Sequence, residues 1–178
     1  IVVQEHNLEI TKEMLGLSVE QWKLRFDTTE GGPNRAPKFP LPNNYIFLLR
    51  YAHHAKDENL LKHVLLTLDK MAMGGIYDQI GGGFARYSTD MLWKVPHFEK
   101  MLYDNAQLVS LYSEAFSLTK KVLYKNVVDQ TLEFISREIT AANGAFYSAL
   151  DADSEGEEGK YYVWTKDQLE KILGNDFY

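Results

Sequence analysis

Apolar residues at helical spacing, broken at intervals by glycine-rich turns, restrict this chain more than any other feature. The interruptions are Gly31-Gly32, Gly74-Gly75, Gly82-Gly83-Phe84 and Gly144-Ala145-Phe146. They divide the sequence into a degenerate repeat of roughly 45–65 residues, each unit long enough for a pair of helices. Stacked helical hairpins satisfy that pattern, because each buries its apolar face against the next.

The individual helices follow from their caps and stripes. A short helix is expected around Ile10–Leu15, within a stretch (residues 1–17) that is otherwise ambiguous. Ser18 with Gln21 has the form of a capping box opening a second, with Val19, Trp22 and Phe26 on its apolar side. Gly31-Gly32-Pro33 ends it. Pro33, Pro37, Pro40 and Pro42 then impose an extended connection. Asn44–Ala55 reads as a helix covered on most sides. Asp57 is a natural N-cap for the next, whose stripe is Leu61, Val64, Leu65, Leu68 and Met71. Another amphipathic helix is expected from Val122 to Ile139, stopped by Asn143-Gly144. Beyond it the period changes. The aromatic-rich runs 145–150 and 160–164 read as two strands of a hairpin, and Thr165 with Gln168 caps a final helix that Gly174 ends.

The stretch from Gly74 to Gln107 carries the functional clue. Five glycines, Gly74, Gly75, Gly81, Gly82 and Gly83, fall within ten residues, a density suited to sharp turns and close backbone approach. Pro96 stands where a helix running to about Leu118 would begin. On a helical projection of that segment, His97, Asp104 and Asn105 fall in or beside the apolar arc. A buried polar group without a partner costs on the order of 1–3 kcal/mol, so these three call for partners, a ligand or a wet cleft. A purely structural account would have them cap and cross-link loops, with Lys100 and Asp104 paired along the helix.

The loop after Leu150 holds Asp151, Asp153, Glu155, Glu157 and Glu158. It begins like a calcium loop, but Tyr162 stands where an EF-hand needs its bidentate glutamate. The loop therefore reads as a solvated tip or as the rim of a cleft. His53, His54 and His63 lack the spacing and carboxylate of a helical zinc motif, and no metal site is expected.

With 19 basic and 25 acidic residues the formal charge is −6, and no basic run stands out, which argues against nucleic acid or an anionic membrane as partner. No apolar segment is long enough to span a bilayer. The lack of cysteine excludes thiolate chemistry within the chain and points to a reducing, cytoplasmic setting. A start at Ile1 reads as a piece of something longer.

Three motifs carry a resemblance. Gly75-Ile76-Tyr77-Asp78-Gln79-Ile80-Gly81-Gly82-Gly83-Phe84-Ala85-Arg86-Tyr87-Ser88 is the first, Val95-Pro96-His97-Phe98-Glu99-Lys100-Met101-Leu102-Tyr103-Asp104-Asn105-Ala106 the second, and 146–156 (Phe-Tyr-Ser-Ala-Leu-Asp-Ala-Asp-Ser-Glu-Gly) the third. With Ala36-Pro37-Lys38-Phe39-Pro40, they resemble the thioredoxin-domain-containing proteins related to spermatogenesis-associated protein 20. At Pro33-Asn34 the chain departs from the glycine-aromatic-glycine pattern of that family. The resemblance implies part of an (α/α)6 toroid like those of six-hairpin glycosidases and N-acylglucosamine 2-epimerases. At this length it implies about half of one, a mainly α, incomplete toroid over residues 1–178 with short β-hairpins in its loops. Without Cys-x-x-Cys, thioredoxin chemistry does not carry over.

Two functions compete on this reading. One is a carbohydrate-active domain of sugar epimerase, isomerase or glycoside hydrolase type. His97 would move a proton beside a sugar carbonyl, kept neutral by its place in a first helical turn. Alternatively Asp104 with Asp151 or Asp153 would act across a glycosidic bond. Arg86, Tyr87, Trp93, Asn105 and Glu155 would contact substrate, with Phe84 as a further stacking ring. No cofactor is implied. The other is a non-catalytic scaffolding or binding domain serving an attached thioredoxin-like unit. Half a toroid would leave apolar faces open, which predicts association with a second copy or with the rest of a longer chain.

Overall fold

The hydroxyl of Thr11 accepts a hydrogen bond from the amide of Met14, and this cap starts one continuous helix, α1, over Lys12–Lys23. The chain is described here from a computed structural model covering residues 10–174. Ser18 is no cap. It lies inside α1 and donates its hydroxyl to the carbonyl of Met14, the usual resting place of a mid-helix serine. The proline-rich connection bends through Ala36-Pro37 to Pro42, which is the first residue of α2 (Pro42–Ala55), as its missing N–H allows. Asp57 caps α3 (Glu58–Ala72) by accepting from the amide of Leu60.

The segment expected to be helical from Pro96 starts later. Residues 96–101 are extended. Strand β1 (Tyr87–Ser88) pairs antiparallel with β2 (Pro96–His97), and β3 (Lys100–Met101) pairs with β4 (Ala149–Leu150). Helix α4 runs only from Leu102 to Thr119. The helical projection that placed His97 is thus corrected: no helix dipole acts on its ring. Helix α5 (Val122–Phe134) continues through a π-helical turn to Ile139. The two aromatic runs do not form one hairpin. The first joins β3, and the acidic loop makes its own antiparallel pair, β5 (Asp153–Ser154) with β6 (Glu157–Glu158). Thr165 and Gln168 form the expected capping box of α6 (Lys166–Leu173).

Two antiparallel hairpins, α2/α3 and α4/α5, pack through α2 against α4 and α3 against α5. Their core includes Leu48, Val64, Leu68, Leu108 and Leu111, all 3% exposed or less. Within it the Tyr112 hydroxyl donates to the carbonyl of Leu68 at 2.8 Å. The molecule is mainly α, and among the described residues no helix is long and apolar enough to cross a membrane.

The repeat is visible in atomic detail. Asp27 and Asp78 each use Oδ1 to accept from amides two and three residues on. Each carbonyl accepts from a glycine (Gly31 or Gly82), and each amide donates to the carbonyl of the next glycine (Gly32 or Gly83). A fully buried lysine completes each unit. The Lys38 ammonium donates to Asp27 Oδ2 and Gly31 O, both at 2.7 Å, and that of Lys100 to Asp78 Oδ2 at 2.7 Å and Gly82 O at 2.9 Å. Lys100 therefore pairs with Asp78, not with Asp104. Pro33 fills the bridge position opposite Phe26 that Phe84 fills opposite Tyr77, so the departure from the family pattern leaves the turn intact. Burial draws Lys100 below the usual lysine range, with Asp78 opposing. Burial also pushes Asp78 upward, but Lys100 and the two amides outweigh it and hold the carboxylate low.

Candidate functional site

The β1–β2 pair sets Tyr87 directly opposite His97, and cross-strand partners project to one face. Their rings stack with centroids 4.8 Å apart, and Phe39 lies against Tyr87 at the same distance. The β5–β6 hairpin brings Glu158 to the other side of the imidazole, with Glu158 Oε1 2.8 Å from His97 Nδ1. An ionised carboxylate carries no hydrogen, so Nδ1 is the donor in that bond. Nε2 lies 3.7 Å from Glu99 Oε2, beyond hydrogen-bonding distance.

Glu99 links this histidine to Arg86. The Arg86 amide donates to the Glu99 carbonyl at 2.8 Å, and its guanidinium donates to Glu99 Oε2 at 3.0 Å. Asp104, in the first turn of α4, completes the group. Half-buried, and accepting no hydrogen bond among the described residues, it is pushed up to about 6. Burial is the main cause, Glu99 adds to it, and Arg86 partly offsets it. Glu158, His97, Glu99 and Arg86 thus form a chain of contacts, with Asp104 near Glu99 and Arg86.

The other expected residues fall elsewhere. Trp93 is fully buried and donates its indole N–H to the carbonyl of Glu30 at 2.9 Å, so it presents no face to a ligand. Phe84 is equally buried. Asn105 is fully buried and satisfied by backbone, accepting from Phe84 N at 2.7 Å and donating to Phe84 O and Met101 O. Its place in the apolar arc is explained by the loop it fastens. Asp151 accepts from the amide of Asp153, and Glu155 pairs with Lys160. Asp153 lies across the ladder from Glu158 and is the acid of the tip closest to the group by register. Sequence reasoning did not single out Glu99, and took Glu158 only as part of an acidic run. The Arg-Tyr-Ser run (86–88) pairing with a Pro-His-x-Glu strand (96–99) was the signal available.

Among the described residues no group of three or more histidines and carboxylates is arranged to hold a metal ion. His63 is largely buried, stacked on Phe26 at 3.8 Å and 3.3 Å from the Tyr45 hydroxyl; burial lowers its pKa to about 4.

No family model matches the chain. Over 158 residues, 83% of its length, it is 46% identical to spermatogenesis-associated protein 20 of Homo sapiens and 43% identical to that of Mus musculus. It is also 38% identical over 163 residues to an uncharacterised protein of Caenorhabditis elegans. The chain spans about a fifth of the length of these relatives (20–22%). Among solved structures, a cellobiose 2-epimerase from Bacillus thermoamylovorans superposes with a TM-score of 0.66 at 14% identity, over 82% of this chain and 42% of that one. A sugar epimerase from a ruminal bacterium superposes at 0.64 and 17% identity, over 75% of this chain and 37% of that one. At such identities the likeness speaks for the fold alone. Sequence and architecture agree that the chain is a homologue of one stretch of the spermatogenesis-associated protein 20 proteins, folded as part of an α/α toroid.

Proposed function

We propose that the His97 group transfers a proton at the carbon beside a sugar carbonyl, as an epimerase or isomerase would. The observation that carries the reading is the presence of two proton-exchanging groups on either side of Glu99. One is an imidazole whose Nδ1 is committed to Glu158 and whose Nε2 lies 3.7 Å from Glu99 Oε2. The other is a carboxyl, Asp104, raised to about 6 and so poised to exchange a proton near neutrality. Arg86, bonded to Glu99 and near Asp104, would supply positive charge for an enediolate oxygen. The fold supports a sugar as substrate by analogy only, since its structural neighbours are sugar epimerases.

The test is deuterium uptake. The purified full-length protein is incubated in D2O with a panel of reducing mono- and disaccharides, and loss of the proton next to the carbonyl is followed by NMR. His97→Gln and Asp104→Asn should each slow uptake by about 10²–10⁴-fold without unfolding the protein. If no sugar exchanges with the unaltered protein, the reading fails, and the group is then a tie between loops in a non-catalytic domain.

A further inference from the structure

A cavity of about 370 Å³ opens between the end of α1, the turn that follows it and the start of α2. Its size falls within the range of small-molecule pockets, roughly 300–1,000 Å³. Trp22, Phe26, Tyr45 and Leu48 form an apolar wall. The only charged residues that line it are Arg25 and Arg35; the Asn34 amide, next to Arg35 in the chain, donates to the Arg25 carbonyl at 2.8 Å. No carboxylate lines it. The nearest acid in sequence, Asp27, is occupied by Lys38, and Lys23 has Glu20 and Asp57. Among the described residues neither guanidinium of the cavity has a hydrogen bond or an ion pair.

The repeat shows why this is unusual. Arg35 stands eight residues beyond Asp27, as Arg86 stands eight beyond Asp78. In the second unit the arginine is neutralised by Glu99 at 3.0 Å. In the first unit the corresponding arginine has a greasy cavity beside it and no counter-charge. The planar guanidinium fork of either arginine matches a carboxylate, and the apolar wall beside them suits the body of an organic acid.

We propose that this cavity is a binding site for an organic anion, with a carboxylate held by Arg25 and Arg35 and an aryl or alkyl body against Trp22 and Phe26. The site is independent of the His97 group. The test is calorimetric titration of the full-length protein with 4-phenylbutyrate, with its neutral amide and with inorganic phosphate. The acid should bind at least tenfold more tightly than either comparison compound. The double substitution Arg25→Gln/Arg35→Gln, at exposed positions, should abolish that tenfold preference while leaving the amide's affinity and the melting temperature unchanged. Equal binding of acid and amide, phosphate binding as tightly as the acid, undiminished acid binding by the double variant, or no saturable binding would each overturn the proposal.

Discussion

Replacing Asp104 by Asn removes a charge that the fold tolerates poorly. Its carboxyl titrates near 6 in the folded chain against 3.8 when free, chiefly because burial disfavours the anion. Two units correspond to about 3 kcal/mol at 1.36 kcal/mol each. The group is only half-buried, so solvent screening reduces this to about 1–2 kcal/mol. The sign follows from linkage. Between the two values the native state holds the proton that the unfolded state has released, so stability falls as pH rises through that window. Asp104→Asn should therefore match the parent below about pH 4, gain progressively through about pH 6, and stay about 1–2 kcal/mol more stable above it. Urea unfolding of both proteins at intervals from about pH 4 to about pH 8 measures the difference directly. An advantage that is absent, or equal at every pH, would refute the argument that Asp104 is held in a desolvated position next to Glu99.

The buried lysines and the tight glycines offer further checks. Lys100→Met strands the Asp78 carboxylate and should cost about 3–5 kcal/mol in urea unfolding; adding Asp78→Asn should recover part of that loss. Gly83 has φ +81°, and a Cβ there would sit 2.5 Å from Phe134 Cδ1, whereas at Gly144, φ +82°, it would meet nothing within 4 Å. Gly144→Ala should cost about 1–2 kcal/mol for the left-handed backbone alone. Gly83→Ala should cost a further ~1–3 kcal/mol for the collision.

The helices were legible because their signals are local. Asp57, the Thr165–Gln168 box and the apolar stripe of α3 act within a turn or two, and they stand where the sequence puts them. The doubled glycine turns were legible as a repeat for the same reason. The error at Pro96 arose where a local preference met a distant one: a proline suited to starting a helix instead lies in β2, pairing with Ser88. That misplacement hid Glu99 and gave His97 the wrong electrostatic surroundings. Ser18 failed likewise, since Thr11 had already begun the helix.

The amino-acid sequence by itself determined a mainly α chain of paired helices, the caps at Asp57 and Thr165, and the repeated glycine turns, because spacing and capping are short-range. Only the tertiary structure decided which charges meet. Lys100 reaches back to Asp78, Glu158 arrives from the acidic hairpin to hold His97, and Arg35 is left facing a cavity while its counterpart Arg86 finds Glu99. Those pairings join segments far apart in the chain, and their energies depend on burial and distance that no stretch of sequence contains.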